Sequence, residues 1–225
     1  GRRGVIARPR NSTHNRRRMI EVQTKGPVTT LRLNRPDKAN ALTADMLKDL
    51  RDAVRSAAHQ NALILTGAGS VFSAGADLEA ARAGLATSPL WEEVSAAVAS
   101  FQGLSVAALN GTVAGGSFGM VLACDLRLAV PAAKFFYPVM RLGFLPQPSD
   151  PARMAALIGP ARTKMILMAG QKITAGQAAA WGLIDEICNA PDLLARAHAL
   201  TEPVCDAKPD HIAGIRALIP DQSRN

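Results

Sequence analysis

Two glycine-bearing segments constrain this chain most. They are Phe72-Ser73-Ala74-Gly75-Ala76-Asp77-Leu78 and Asn110-Gly111-Thr112-Val113-Ala114-Gly115-Gly116-Ser117-Phe118-Gly119. Each follows a short apolar run, Ala62-Leu63-Ile64-Leu65-Thr66 or Val106-Ala107-Ala108-Leu109, that reads as a buried strand. Each then enters residues able to start a helix. Small residues at such a junction let the backbone approach a ligand closely and leave amide N–H groups free to point at it. Two such amides converging on one point would stabilise a developing oxyanion, often the largest single contribution to catalysis.

The flanking sequence alternates in the same way. Residues 20–24 and 28–33 read as strands joined by a Lys25-Gly26 turn, and Asn34-Arg35-Pro36-Asp37 is turn chemistry. Thr43 is expected to cap a helix that carries Leu47, Leu50, Val54 and Ala58 on one face. Ser88-Pro89 opens another helix, with Pro89 at its first position and Glu92 and Glu93 where acids suit the dipole. A helix is expected from about residue 116, and strands near 126–130 and 134–136. From Pro151 onward the pattern is helical, with only residues 185–188 resembling a strand. Strands alternating with helices imply an α/β protein built on a mainly parallel sheet, its helical final third packed across it.

The chain has 225 residues and 48% hydrophobic content, enough for one domain with a sizeable core. No apolar run reaches the roughly 18–20 residues that span a bilayer, so no membrane association is expected. The net charge of +8 is misleading when read globally. Residues 1–18 hold seven arginines and no acid, leaving 19 Lys/Arg against 18 Asp/Glu elsewhere. A basic tail (1–18), a core (19–190) and a helical, short C-terminal segment (191–225) are thus the expected divisions. The tail suits a transit peptide or a nucleic-acid arm, or is tag-derived or upstream sequence before a start at Met19, the reading preferred. A nucleic-acid role is not expected of a near-neutral core with one tyrosine and two tryptophans. Cys124, Cys188 and Cys205 fit neither a zinc pattern nor a disulfide framework; reduced thiols point to the cytoplasm, and no metal is expected.

Several motifs together resemble the crotonase superfamily, the enoyl-CoA hydratase/isomerase family. They are Leu33-Asn34-Arg35-Pro36 with Asn40-Ala41-Leu42, then Leu65-Thr66-Gly67-Ala68-Gly69 leading into the first glycine segment. The second segment with Ala123-Cys124-Asp125 follows, then Pro138, Leu142-Gly143, Pro146 and the 175–183 run. The resemblance covers roughly residues 20–210. It implies a spiral of ββα units assembled as a homotrimer or a dimer of trimers. It also implies an acyl-CoA thioester ligand, with coenzyme A as part of the substrate and no separate cofactor. Its carbonyl would sit between the backbone N–H groups of Ala76 and Gly116. Substrate-lining positions carried over are Ala39, Ala41, Ala74, Gly75, Asp77, Leu78, Gly115, Pro138, Arg141 and Leu142, although Asp77 matches a position that usually serves structure. Family members usually continue with a further helix beyond a segment like 207–218.

The departures bear on mechanism. Hydratases of this family place one glutamate just after the glycine pair and another right after the later proline; here those positions hold Gly119 and Val139. Neither exchanges a proton, which disfavours ordinary two-carboxylate hydration and points to isomerisation or another proton-transfer or hydrolytic reaction. Asp150 and Tyr137 are the candidate acid/base groups. Asp150 is a base if apolar neighbours raise its pKa, or else a cap for the helix near Pro151, the preferred reading. Tyr137 donates to an enolate, or is a core aromatic with a satisfied hydroxyl, again preferred. Arg141 pairs with a substrate carboxylate or with a surface acid. Two rivals stand beside these readings. Gly115-Gly116-Ser117-Phe118-Gly119 also fits the G-x-S-x-G nucleophile elbow, with Asp150 or Asp185 and His198 or His211 completing a serine-hydrolase order. The other is a non-catalytic acyl-CoA binder.

Overall fold

The computed structural model describes residues 18–220. Apart from Arg18, the basic-tail reading therefore lies outside the described residues. The chain opens with an antiparallel hairpin, β1 (Ile20–Lys25) and β2 (Val28–Leu33). Helix α1 (Ala44–Ser56) follows, and the Thr43 hydroxyl accepts from the Met46 N–H at 3.2 Å, as the cap expected there. Met46, Leu47, Leu50 and Val54 form its buried face. Ala58 does not join them: the helix ends at Ser56 and Ala57 turns inward instead.

Three strand–strand–helix passages then repeat. β3 (Ala62–Gly67) leads to β4 (Val71–Ser73) and α2 (Leu78–Arg82). After α3 (Leu90–Ala99), β5 (Leu104–Leu109) leads to β6 (Thr112–Ala114) and α4 (Phe118–Ala123). β7 (Leu126–Ala129) leads to β8 (Lys134–Phe136) and α5 (Val139–Leu142). The remainder is α6 (Asp150–Leu167), β9 (Ile173–Thr174), α7 (Ala175–Trp181), β10 (Glu186–Ile187), α8 (Leu193–Cys205) and α9 (Pro209–Leu218). Gly159, at φ 80° and ψ 162° just before Pro160, breaks α6 in two.

The first strand of each passage enters a six-stranded sheet ordered β1-β2-β3-β5-β7-β10, parallel beyond the opening hairpin. The second strand of each enters a smaller sheet ordered β4-β6-β8-β9. All six residues of β3 are buried, as a parallel strand covered on both faces requires. Helix α8 packs across β3, β5 and β7. The Asn61 amide ties its end down by donating to the carbonyls of Val204 (2.8 Å) and Ala207 (2.9 Å). Arg216 of α9 pairs with Asp125 at 2.7 Å. Among the described residues no helix is long and apolar enough to cross a membrane.

Candidate active site

The two glycine segments meet where successive passages leave the small sheet for their helices. Gly75 has φ +89°, and a Cβ there would stand 2.9 Å from the Ala114 carbonyl oxygen and 3.6 Å from the Gly115 Cα. Only glycine lets the two backbones come this close. The first loop is zipped onto the segment before α1. Ala74 N–H donates to Ala39 O, Leu42 N–H to Gly75 O, and Asp77 N–H to Leu42 O, all at 2.8–2.9 Å. Asn40, fully buried, holds the outer end of the same loop by donating to the carbonyls of Ala68 and Val71.

This zip decides the direction of one amide. Leu42 and Ala76 form a parallel bridge, in which Leu42 bonds the residues on either side of Ala76. The Ala76 N–H itself therefore faces away from Leu42. Gly116 lies in a 3-10 turn (Gly115–Ser117) leading into α4, and first-turn amides have no intrahelical acceptor. Ala76 and Gly116 both line one cavity of about 350 Å³.

The cavity wall is largely apolar. Trp91, from the first turn of α3, forms the cover over Gly116: a Cβ there would lie 2.9 Å from the indole ring. The indole N–H is fixed by the Leu85 carbonyl at 2.8 Å. Phe136, Val139, Phe144 and Leu145 close other sides. Among the described residues Arg82 is the one charged residue in the lining.

Behind Tyr137 lies a buried carboxylate. The Tyr137 hydroxyl donates to Asp150 Oδ2 at 2.8 Å and accepts from the Gln147 N–H at 3.1 Å. The Tyr137 ring stacks on Phe118, centroids 5.5 Å apart. Asp150 is fully buried, and its Oδ1 has no hydrogen-bond partner. Desolvation raises its pKa to about 7; the tyrosine hydrogen bond and Arg153 oppose the rise, while Glu92 adds to it. Burial, then the Asp150 charge, push Tyr137 above its usual range, so it stays a proton donor at neutral pH. Asp150 Oδ1 stands 3.1 Å from where a Cβ on Gly119 would be. The carboxylate from α6 thus occupies the room that a side chain at position 119 would need.

Each sequence-predicted residue has a definite place. Ala74, Gly75, Ala76, Leu78, Gly115, Gly116, Tyr137, Pro138 and Leu142 line the cavity. Ala39 and Ala41 lie off the lining; the Ala41 carbonyl takes the Arg35 guanidinium. Asp77 also lies off it, capping α2 and pairing with Arg35 at 2.8 Å. Its pKa is lowered by the Ala80 amide and then by Arg35. Arg141 is exposed and off the lining. The helix-cap reading of Asp150 is corrected: its Oδ2 takes the tyrosine, and Ser149 makes no side-chain cap. Ser149 Oγ instead donates to Glu92 at 2.6 Å. The hydrolase elbow does not assemble among the described residues. Ser117 is fully buried and donates inward to the Ala114 carbonyl at 2.7 Å. Asp185 accepts from the Arg127 N–H, His198 lies on α8, and His211 lines a separate cavity beside α9.

Ala81, Arg82, Ala86 and Trp91 were not anticipated in the lining. The 136–147 stretch, which by the family resemblance lies where the acyl pocket is lined, does supply Phe136, Val139, Phe144, Leu145 and Gln147. The four unanticipated residues arrive from α2, the turn after it and α3 through tertiary packing alone.

The enoyl-CoA hydratase/isomerase family model matches residues 23–224. A 4-chlorobenzoyl coenzyme A dehalogenase of an Arthrobacter species is 30% identical, covering 91% of this chain and 77% of that protein. Carnitinyl-CoA dehydratase of Salmonella arizonae is also 30% identical, covering 88% and 79%. The crystal structure of an enoyl-CoA hydratase from Bacillus anthracis superposes with a TM-score of 0.82 at 27% identity, covering 88% of this chain and 81% of that one. The chain therefore belongs to the enoyl-CoA hydratase/isomerase family and has the crotonase fold. It is an enzyme of that family.

Proposed function

We propose that the cavity binds an acyl-CoA thioester and stabilises its enolate, with the Ala76 and Gly116 amides on the carbonyl oxygen and the Asp150–Tyr137 pair moving the α-proton. What supports this is that Ala76, whose N–H faces away from the Leu42 bridge, and Gly116, in the first turn before α4, line one largely apolar cavity. Enolate charge next to a thioester sits on oxygen, and each preorganised donor contributes roughly 2.7–4 kcal/mol there. A carboxylate with a pKa near 7 is matched to abstraction at neutral pH. Asp150 itself lies off the lining behind Tyr137, so the α-proton passes to the Tyr137 oxygen as the hydroxyl proton moves to Asp150 Oδ2. With glycine at 119 and valine at 139, the reading favours isomerisation or another proton transfer over two-glutamate hydration.

The test is exchange of α-protons of a saturated acyl-CoA with solvent deuterium, followed by proton NMR. A base must be ionised to act, so exchange should rise with pH, inflect near 7 and level off above it. Binding without exchange at any pH would overturn the proton-transfer part of this proposal. Self-association as a trimer belongs to the same proposal, supported by exposed Met140, Leu142 and Leu145 beside the cavity. Light scattering should give a multiple of three chain masses; a monomer would remove this part.

A further inference from the structure

We infer that Arg82 selects acyl groups that carry a carboxylate of their own; this rests on the acyl-CoA reading above. Arg82 closes α2 and is the one charged residue among the described residues that line the cavity. No carboxylate among the described residues forms an ion pair with it, not even Glu79 one turn earlier on the same helix. A guanidinium stays charged at every working pH and presents a fork of donors that matches a carboxylate in two-point contact. A cation held at an apolar wall gains most from a ligand anion brought there by the ligand's own binding.

Its position favours the acyl end of the ligand. Four residues after Arg82 the same wall reaches Ala86, whose carbonyl is held by the Gln147 side chain at 3.1 Å. Gln147 in turn donates its backbone N–H to the Tyr137 hydroxyl, which holds Asp150. Arg82 thus belongs to the wall tied to the proton-transfer pair. The thioester's other arm is an extended pantetheine that carries the coenzyme phosphates away from the reacting carbon.

Calorimetric titration of the wild-type protein and of Arg82→Gln and Arg82→Glu with succinyl-CoA and butyryl-CoA tests this. The two ligands share chain length and coenzyme and differ by the terminal carboxylate. Wild type should bind succinyl-CoA about tenfold more tightly, equivalent to about 1.4 kcal/mol. Arg82→Gln should abolish the preference by weakening succinyl-CoA more than butyryl-CoA, and Arg82→Glu should invert it. Arg82 is exposed on a short helix, so both variants should fold, as an unchanged melting curve will show. Equal weakening of both ligands would assign Arg82 to the coenzyme phosphates and overturn the inference. So would a wild type that binds both alike. If neither ligand binds wild type, the acyl-CoA reading itself fails, a result distinct from binding without preference.

Discussion

Replacing Gly116 by proline should lower the rate of α-proton exchange by at least a hundredfold relative to Gly116→Ala. Removing one oxyanion-hole donor typically costs 10²–10³ in turnover. The alanine variant is the necessary control. A Cβ at 116 lies 2.9 Å from the Trp91 ring, so any side chain there forces the indole to move. Alanine and proline share that crowding, but only proline lacks the N–H. The φ of Gly116 lies outside the left-handed region, and proline is tolerated in a first helical turn. Matching rates for the two variants would show that the amide contributes nothing. Ser117→Ala should leave exchange unchanged, since its hydroxyl is spent on the Ala114 carbonyl.

Asp150→Asn should reduce exchange by about 10²–10⁴, the usual contribution of a positioned acid or base. A second readout separates chemistry from damage. Asp150 titrates near 7 in the folded chain and near the ordinary carboxylate value of about 3.9 when unfolded. Between those values the native state keeps a proton that the unfolded chain has released. Its contribution to stability is therefore fully present below about pH 4 and is lost as pH rises through 7. Three units correspond to on the order of 4 kcal/mol. Denaturant titrations at pH 4 and pH 8 should show wild type losing stability relative to Asp150→Asn over that interval. A constant difference between the two proteins would mean that the carboxylate is neither desolvated nor poised as a base.

How much of this was legible in the sequence follows from how local each signal is. The hairpin, α1 with its Thr43 cap, and the long parallel strands β3 and β5 carry their own period and punctuation. α3 begins one residue later than expected, with Pro89 as its cap residue and not its first helical position. Of the small sheet only β8, expected at 134–136, was legible. β4 and β6 have three residues each and β9 two, too short for alternation to show. Only the family resemblance implied the second strand of the other units. The break at Gly159 was missed although Gly-Pro is a strong punctuator, because apolar residues continue on both sides. Asp150 was assigned to the helix start from neighbouring sequence, whereas its fate depends on Tyr137, thirteen residues earlier, and on the space left at Gly119.

The contact between Gly75 and Gly115 has a consequence for how such a protein changes over time. The proposed main-chain donors are held by the pairing with residues 39–42 and by the small sheet, not by the side chains that line the cavity. Side chains from α2, α3, α5 and α6 can then be exchanged without disturbing the proposed grip on a carbonyl. A scaffold of this kind separates what is common to every thioester from what distinguishes one reaction from the next. That separation fits relatives named for removing chlorine, dehydrating carnitinyl-CoA and hydrating enoyl-CoA within one architecture.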